Sequence, residues 1–219
     1  MFIEQIKFFF NNTLKNREKL LVVSSLGSVQ IVAVSIGFFT SIIWARYVEK
    51  DVYGQYQVIL SIMTIVNSLC LPGLSESLTI SAAKGYDGNL TRIIKYKTLS
   101  LLAGSVAILC IAIYYYFSSD LKLSYALFIG AFIFPLFQLD SIWAAWLNGR
   151  GFLKKLSLYR VITIISTAVM LLALVYFGIQ DLEILVLGLI GLPGLLSVLI
   201  TAGILTQRKN TEYDNDSIK

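Results

Sequence analysis

Six stretches of this chain are apolar over enough residues to cross a lipid bilayer, and this limits the fold more than any other feature of the sequence. They run over roughly 20–45, 53–84, 98–117, 124–148, 158–177 and 182–206. At 1.5 Å per residue, each covers a hydrocarbon core of about 30 Å as one helix. A backbone in hydrocarbon must satisfy its own hydrogen bonds, and unbroken apolar runs of this length do so as helices. The predicted fold is therefore all-α: a polytopic bundle of six transmembrane helices over residues 20–206. A cytoplasmic segment, 1–19, precedes it and a polar cytoplasmic tail, 207–219, follows. With 57% hydrophobic and 14% charged residues, the chain has too little polar surface for a soluble domain of this length.

The basic residues give an orientation. With the N-terminus inside, 15 of the 18 Lys and Arg fall in segments 1–19, 84–97, 149–160 and 207–219, and Arg46, Lys50 and Lys122 fall outside. Cytoplasmic loops carry such an excess, so the expected topology is N-in/C-in, with Trp44 and Tyr114–Tyr116 in aromatic belts near outer helix ends. Topology also absorbs the net charge of +5, and no nucleic-acid partner is expected. Residues 1–19 hold acids, amides and four bases, which is not the pattern of a cleavable leader. Ile3, Ile6, Phe10 and Leu14 share one helical face, as in an amphipathic helix lying on a membrane surface. The second run would be about 48 Å long if straight, so it should tilt, kink or project.

Several chemistries are excluded. The chain has no histidine, which removes histidine metal ligands, Ser-His-Asp catalysis and phosphatidic-acid-type phosphatase chemistry. No loop is long enough to hold a sugar-transfer domain, so no catalytic residue, metal or cofactor is expected. Cys70 and Cys110 lie in apolar runs and read as small buried hydrophobes rather than a disulfide.

The polar residues inside the spans are the informative ones. Asp140 and Glu76 each lie eight residues before the inner end of their span, about 12 Å along a helix axis. A charge at mid-span costs about 2.5–3.5 kcal/mol, so it should face a cavity or a partner. Two acids at one depth are expected to face a common cavity. They form either a proton or cation site, a latch on a nearby base, or surface pairs reaching Lys84 and Arg150. Gln30 and Asn67 lie near mid-membrane, and Ser24, Ser28 and Ser35 share a face of the first span. Interhelical hydrogen bonding is the plainer reading for all five. Pro72, Pro135 and Pro193 all fall within spans, and each opens the turn before it. The bases Lys84, Arg92, Lys95, Lys97, Arg150, Lys154, Lys155 and Arg160 line the inner loops. Topology accounts for them, and they would also gather an anionic headgroup or diphosphate at the cytoplasmic mouth. Trp143 and Trp146 read as an interfacial belt, with stacking on sugar rings as the alternative.

Three ordered strings carry a family resemblance. They are Ile43-Trp44-Ala45-Arg46-Tyr47 followed by Asp51-Val52-Tyr53-Gly54-Gln55-Tyr56, then Pro72-Gly73-Leu74-Ser75-Glu76-Ser77-Leu78, then Leu147-Asn148-Gly149-Arg150-Gly151-Phe152-Leu153-Lys154. Together they resemble the N-terminal lobe of the polysaccharide biosynthesis (Wzx-type) O-antigen flippases, of the multidrug/oligosaccharidyl-lipid/polysaccharide exporter superfamily. The resemblance implies a multi-pass protein of the bacterial cytoplasmic membrane that moves a polyprenyl-diphosphate-linked oligosaccharide between leaflets for O-antigen or capsule synthesis. It also implies alternating access. Asp140, Glu76, Gln30, Asn67 and Arg46 are then candidates for the translocation path, and Lys84, Arg92, Arg150 and Lys154 for headgroup contacts. Family members carry two pseudo-symmetric lobes and about twice as many spans. One lobe therefore implies a second six-helix partner, self or another chain, beside the membrane lipids. The alternatives are a half-length multidrug-type antiporter and a truncated, non-transporting membrane subunit.

Overall fold

A computed structural model of the chain describes Gly27 and residues 30–71, 73–86 and 88–207. The amphipathic segment 1–19, the tail 208–219, Ser24 and Ser28 lie outside the described residues. Helix α1 covers Gln30–Tyr47. It is followed by α2 (Lys50–Leu69), α3 (Gly73–Lys84), α4 (Gly88–Phe117), α5 (Leu121–Phe137) and α6 (Asp140–Gly149). Then come α7 (Leu153–Tyr176), α8 (Leu182–Val186), a π-helical turn (Leu187–Gly191) and α9 (Leu192–Gln207). Five described helices or helix pairs are long and apolar enough to cross a bilayer. The count rises to six when α2 and α3, which meet at 60°, are taken as one broken span.

The structure relocates several sequence expectations. Loops 84–97 and 149–160 are mostly helix: α4 begins at Gly88 and α7 at Leu153. Local bonding needs only short turns here, because Arg150 N–H bonds back to Trp146 and Phe152 N–H to Leu147. Arg92, Lys95 and Lys97 thus stand on α4, and Lys154, Lys155 and Arg160 on α7. The overlong second run is broken between α2 and α3. Cys70 N–H closes on the Asn67 carbonyl, and Leu71 adopts a left-handed φ of 46°, a strained conformation for a branched side chain.

The tryptophans are core residues rather than a belt. Trp44, 9% exposed, stacks on Tyr56 at 4.9 Å and packs on Tyr53, fastening the end of α1 to α2. Trp143 and Trp146 are buried at 3% and 4%. Cys70 is buried and free, but Cys110 is exposed on the outside of α4, where the 3.6-residue period turns it away from the stripe through Ser105, Ile108 and Ala112.

Two hydrophobic cores form, and the prolines mark the line between them. The larger gathers Ile59 and Met63 of α2, Leu101 and Ile108 of α4, Leu127 and Phe134 of α5, and Leu185 and Val186 of α8. The smaller gathers Leu78 of α3, Leu90 and Ile93 of α4, Ile142 and Trp146 of α6, Leu156 of α7 and Ile204 of α9. Pro72 lies between α2 and α3, Pro135 just before the α5–α6 turn, and Pro193 just after the π-helical turn. Pro135 and Pro193 lie where their spans pass from one core to the other, and a proline has no N–H for the helical ladder. α4 and α7 each run through both cores as one uninterrupted α-helix. Phe38, Phe117, Leu158, Val169 and Tyr176 stand exposed around the bundle, a surface suited to acyl chains rather than water.

Candidate functional site

A cavity of about 630 Å³ opens at the junction of the two cores. Tyr56, Leu189 and Ile190 reach it from the larger core and Trp143 from the smaller one. Its polar lining comprises Asp140, Arg160 and the hydroxyls of Ser141, Thr163, Thr167 and Ser197. The cavity is partly open. Asp140 is exposed to it, although protein surrounds most of the carboxylate.

Local folding explains each placement. The α5–α6 turn closes with Gln138 N–H on the Phe134 carbonyl and Ile142 N–H on the Leu139 carbonyl. This makes Asp140 the first residue of α6, where the partial positive charge of a helix N-terminus favours an acid. Arg160 lines the same cavity. Arg160, Thr163 and Thr167 project from one face of α7, as positions i, i+3 and i+7 must. Thr163 donates to the Tyr159 carbonyl at 2.7 Å and Thr167 to Thr163 at 2.9 Å, which leaves hydroxyl lone pairs to accept from a ligand. Trp143 donates to Ser197 across 3.5 Å and meets Tyr159 edge-on at 6.0 Å.

The two acids do not share this cavity. Glu76 stands exposed in the first turn of α3 and is not among the lining residues; the break at Cys70–Gly73 turns α3 away from the line of α2. Gln30 is exposed on α1 and Arg46 on its last turn, and neither reaches the cavity. Asn67 is half-buried beside the break, with its side-chain oxygen buried and without a hydrogen-bond partner. Lys84, Arg92, Arg150 and Lys154 gather at one end of the bundle, around the smaller core. There Arg150 donates to the Gly85 carbonyl at 3.3 Å.

Two residues read from the sequence as loop bases stand elsewhere: Arg160 is exposed at the open cavity, and Lys97 lies in the interior. Arg160 lines the cavity, and its signal was the polar i, i+3, i+7 series. Lys97 is 3% exposed, and its ammonium donates to the Cys70 carbonyl at 2.8 Å. Its signal was the stripe Ile93, Lys97, Leu101, Ser105, Ile108, in which it holds a core position of α4. Among the described residues no group of three or more His, Cys, Asp or Glu could hold a metal ion.

The family model for polysaccharide biosynthesis proteins matches residues 22–213. No curated protein and no solved structure matches the chain. The chain is an all-α, multi-pass membrane protein, and it belongs to the polysaccharide biosynthesis protein family.

Proposed function

We propose that this chain is a flippase lobe that carries a polyprenyl-diphosphate-linked oligosaccharide across the bacterial cytoplasmic membrane during synthesis of a surface polysaccharide. In this reading both termini are cytoplasmic, and a second six-helix lobe, from another copy or another chain, closes the path. The observation that carries it is the cavity at the helix breaks, lined by Arg160 and Asp140, by the hydroxyl residues Ser141, Thr163, Thr167 and Ser197, and by the aromatic residues Tyr56 and Trp143. A guanidinium offers the forked donors that a diphosphate accepts, while hydroxyls and aromatic rings suit a sugar. The acid serves as a coupling site or as the counter-charge that Arg160 returns to when the cargo leaves. Family membership and the lack of a metal-holding cluster among the described residues accord with a non-enzymatic transporter.

The test is glycan exposure on the outer leaflet, read by lectin binding to spheroplasts, with the chain expressed beside its partner lobe. Arg160→Ala should lower exposure at least about tenfold, the scale of one lost charge-assisted bond. Arg160→Lys should recover part of it, and Asp140→Asn should abolish coupling. Unchanged exposure on deleting the gene would leave a non-transporting subunit. Export of an organic cation without any effect on glycan would point to a multidrug-type antiporter.

A further inference from the structure

The buried ammonium of Lys97 has no part in the cavity lining, yet it sits where two broken spans meet. Its Nζ donates to the Cys70 carbonyl at 2.8 Å, at the end of α2 where helical carbonyls lose their partners. A cation is favoured at such a terminus. The same break holds the buried, unpartnered side-chain oxygen of Asn67 and the Cys70 thiol, which donates to the Ser100 carbonyl at 3.4 Å. The ammonium therefore caps the carbonyl at the α2–α3 break. Asp140 opens α6 just past the second break. Beyond these breaks α3 and α6 pack closely on each other, and they leave their parent helices together.

We infer that Lys97 is the latch of this hinge: its ammonium holds the α2–α3 break closed on the Cys70 carbonyl. That carbonyl gives the charge the partner an isolated cation in this interior would need. The latch is independent of what the protein transports.

Cys70 itself reports the state of the hinge, because it is 4% exposed when the break is closed. In the full chain carrying Cys110→Ala, reconstituted in lipid, alkylation of Cys70 by membrane-permeant N-ethylmaleimide measures opening. Lys97→Met should accelerate alkylation about ten- to a hundredfold, the range expected for a lost hydrogen bond to a charged group. Lys97→Arg should keep most of the protection. A thiol placed far from the break, by Ser124→Cys in a background with Cys70 and Cys110 both changed to Ala, should stay protected with either residue at position 97. Equal rates with Lys or Met at 97 overturn the latch, as does a parallel rise at position 124.

Discussion

The two cores are built by different means. The larger relies on side chains filling space: Phe134, Ile59, Leu101, Ile108 and Leu127 are almost wholly buried, and α4 and α5 form the most extensive helix pair. The smaller relies on backbones approaching one another. A Cβ on Gly149 would run into the Thr79 carbonyl oxygen and lie 2.8 Å from the Ala82 side chain. Polar bonds then bridge the elements, Thr79 to the Ala145 carbonyl at 3.3 Å and Asn89 to Ser81 at 2.7 Å. Without a hydrophobic drive between helices in lipid, association falls to close packing and hydrogen bonds. The smaller core uses both over short helix fragments. It is the part suited to move as a body, because the span leading to α3 is bent by 60° and the one leading to α6 is interrupted by a turn.

The comparison can be broken first in the larger core. Phe134→Ala should cost about 3–5 kcal/mol and lower the unfolding temperature of the whole bundle in detergent. Phe38→Ala, the same change on a ring 64% exposed on α1, is its counterpart at the bottom of the scale, within about 0.5 kcal/mol. Between them stands Gly149→Ala, which should cost about 1–3 kcal/mol by overpacking and act locally. Amide exchange should quicken in α3 and α6 and stay unchanged in α5. Equal acceleration in α5 would show one cooperative unit rather than two. Thr79→Val is smaller still. It removes the donor to the Ser75 and Ala145 carbonyls for about 1 kcal/mol, and its exchange signature should be the same in kind.

Legibility in the sequence followed the length scale of each interaction. Apolar runs are local, so the all-α membrane class and each span's approximate place could be read directly, as could the disruption at Pro72. Asp140 was legible as a site candidate because a carboxylate inside an apolar run stands out by itself. Arg160 and Lys97 were not, because a base near a helix end carries the same signal whether it faces headgroups or the interior. Only the helix starting at Gly88 rather than near residue 98 places Lys97 on the buried stripe. Glu76 shows the opposite limit. Its depth matched that of Asp140, but depth does not say which way a helix turns after a break.

By itself the sequence determined that this chain lives in a membrane, how many apolar runs it has, and where prolines interrupt them, since these depend on neighbouring residues and on transfer from water to lipid. Tertiary structure alone decided that the interruptions fall between two cores, that one acid and one base meet in a cavity there, and that a lysine counted among loop bases caps a broken helix. These depend on how distant helices pack, and in a chain this apolar almost any face can be buried. The choice among faces is made by shape, by close backbone approach and by the few polar groups that must find partners.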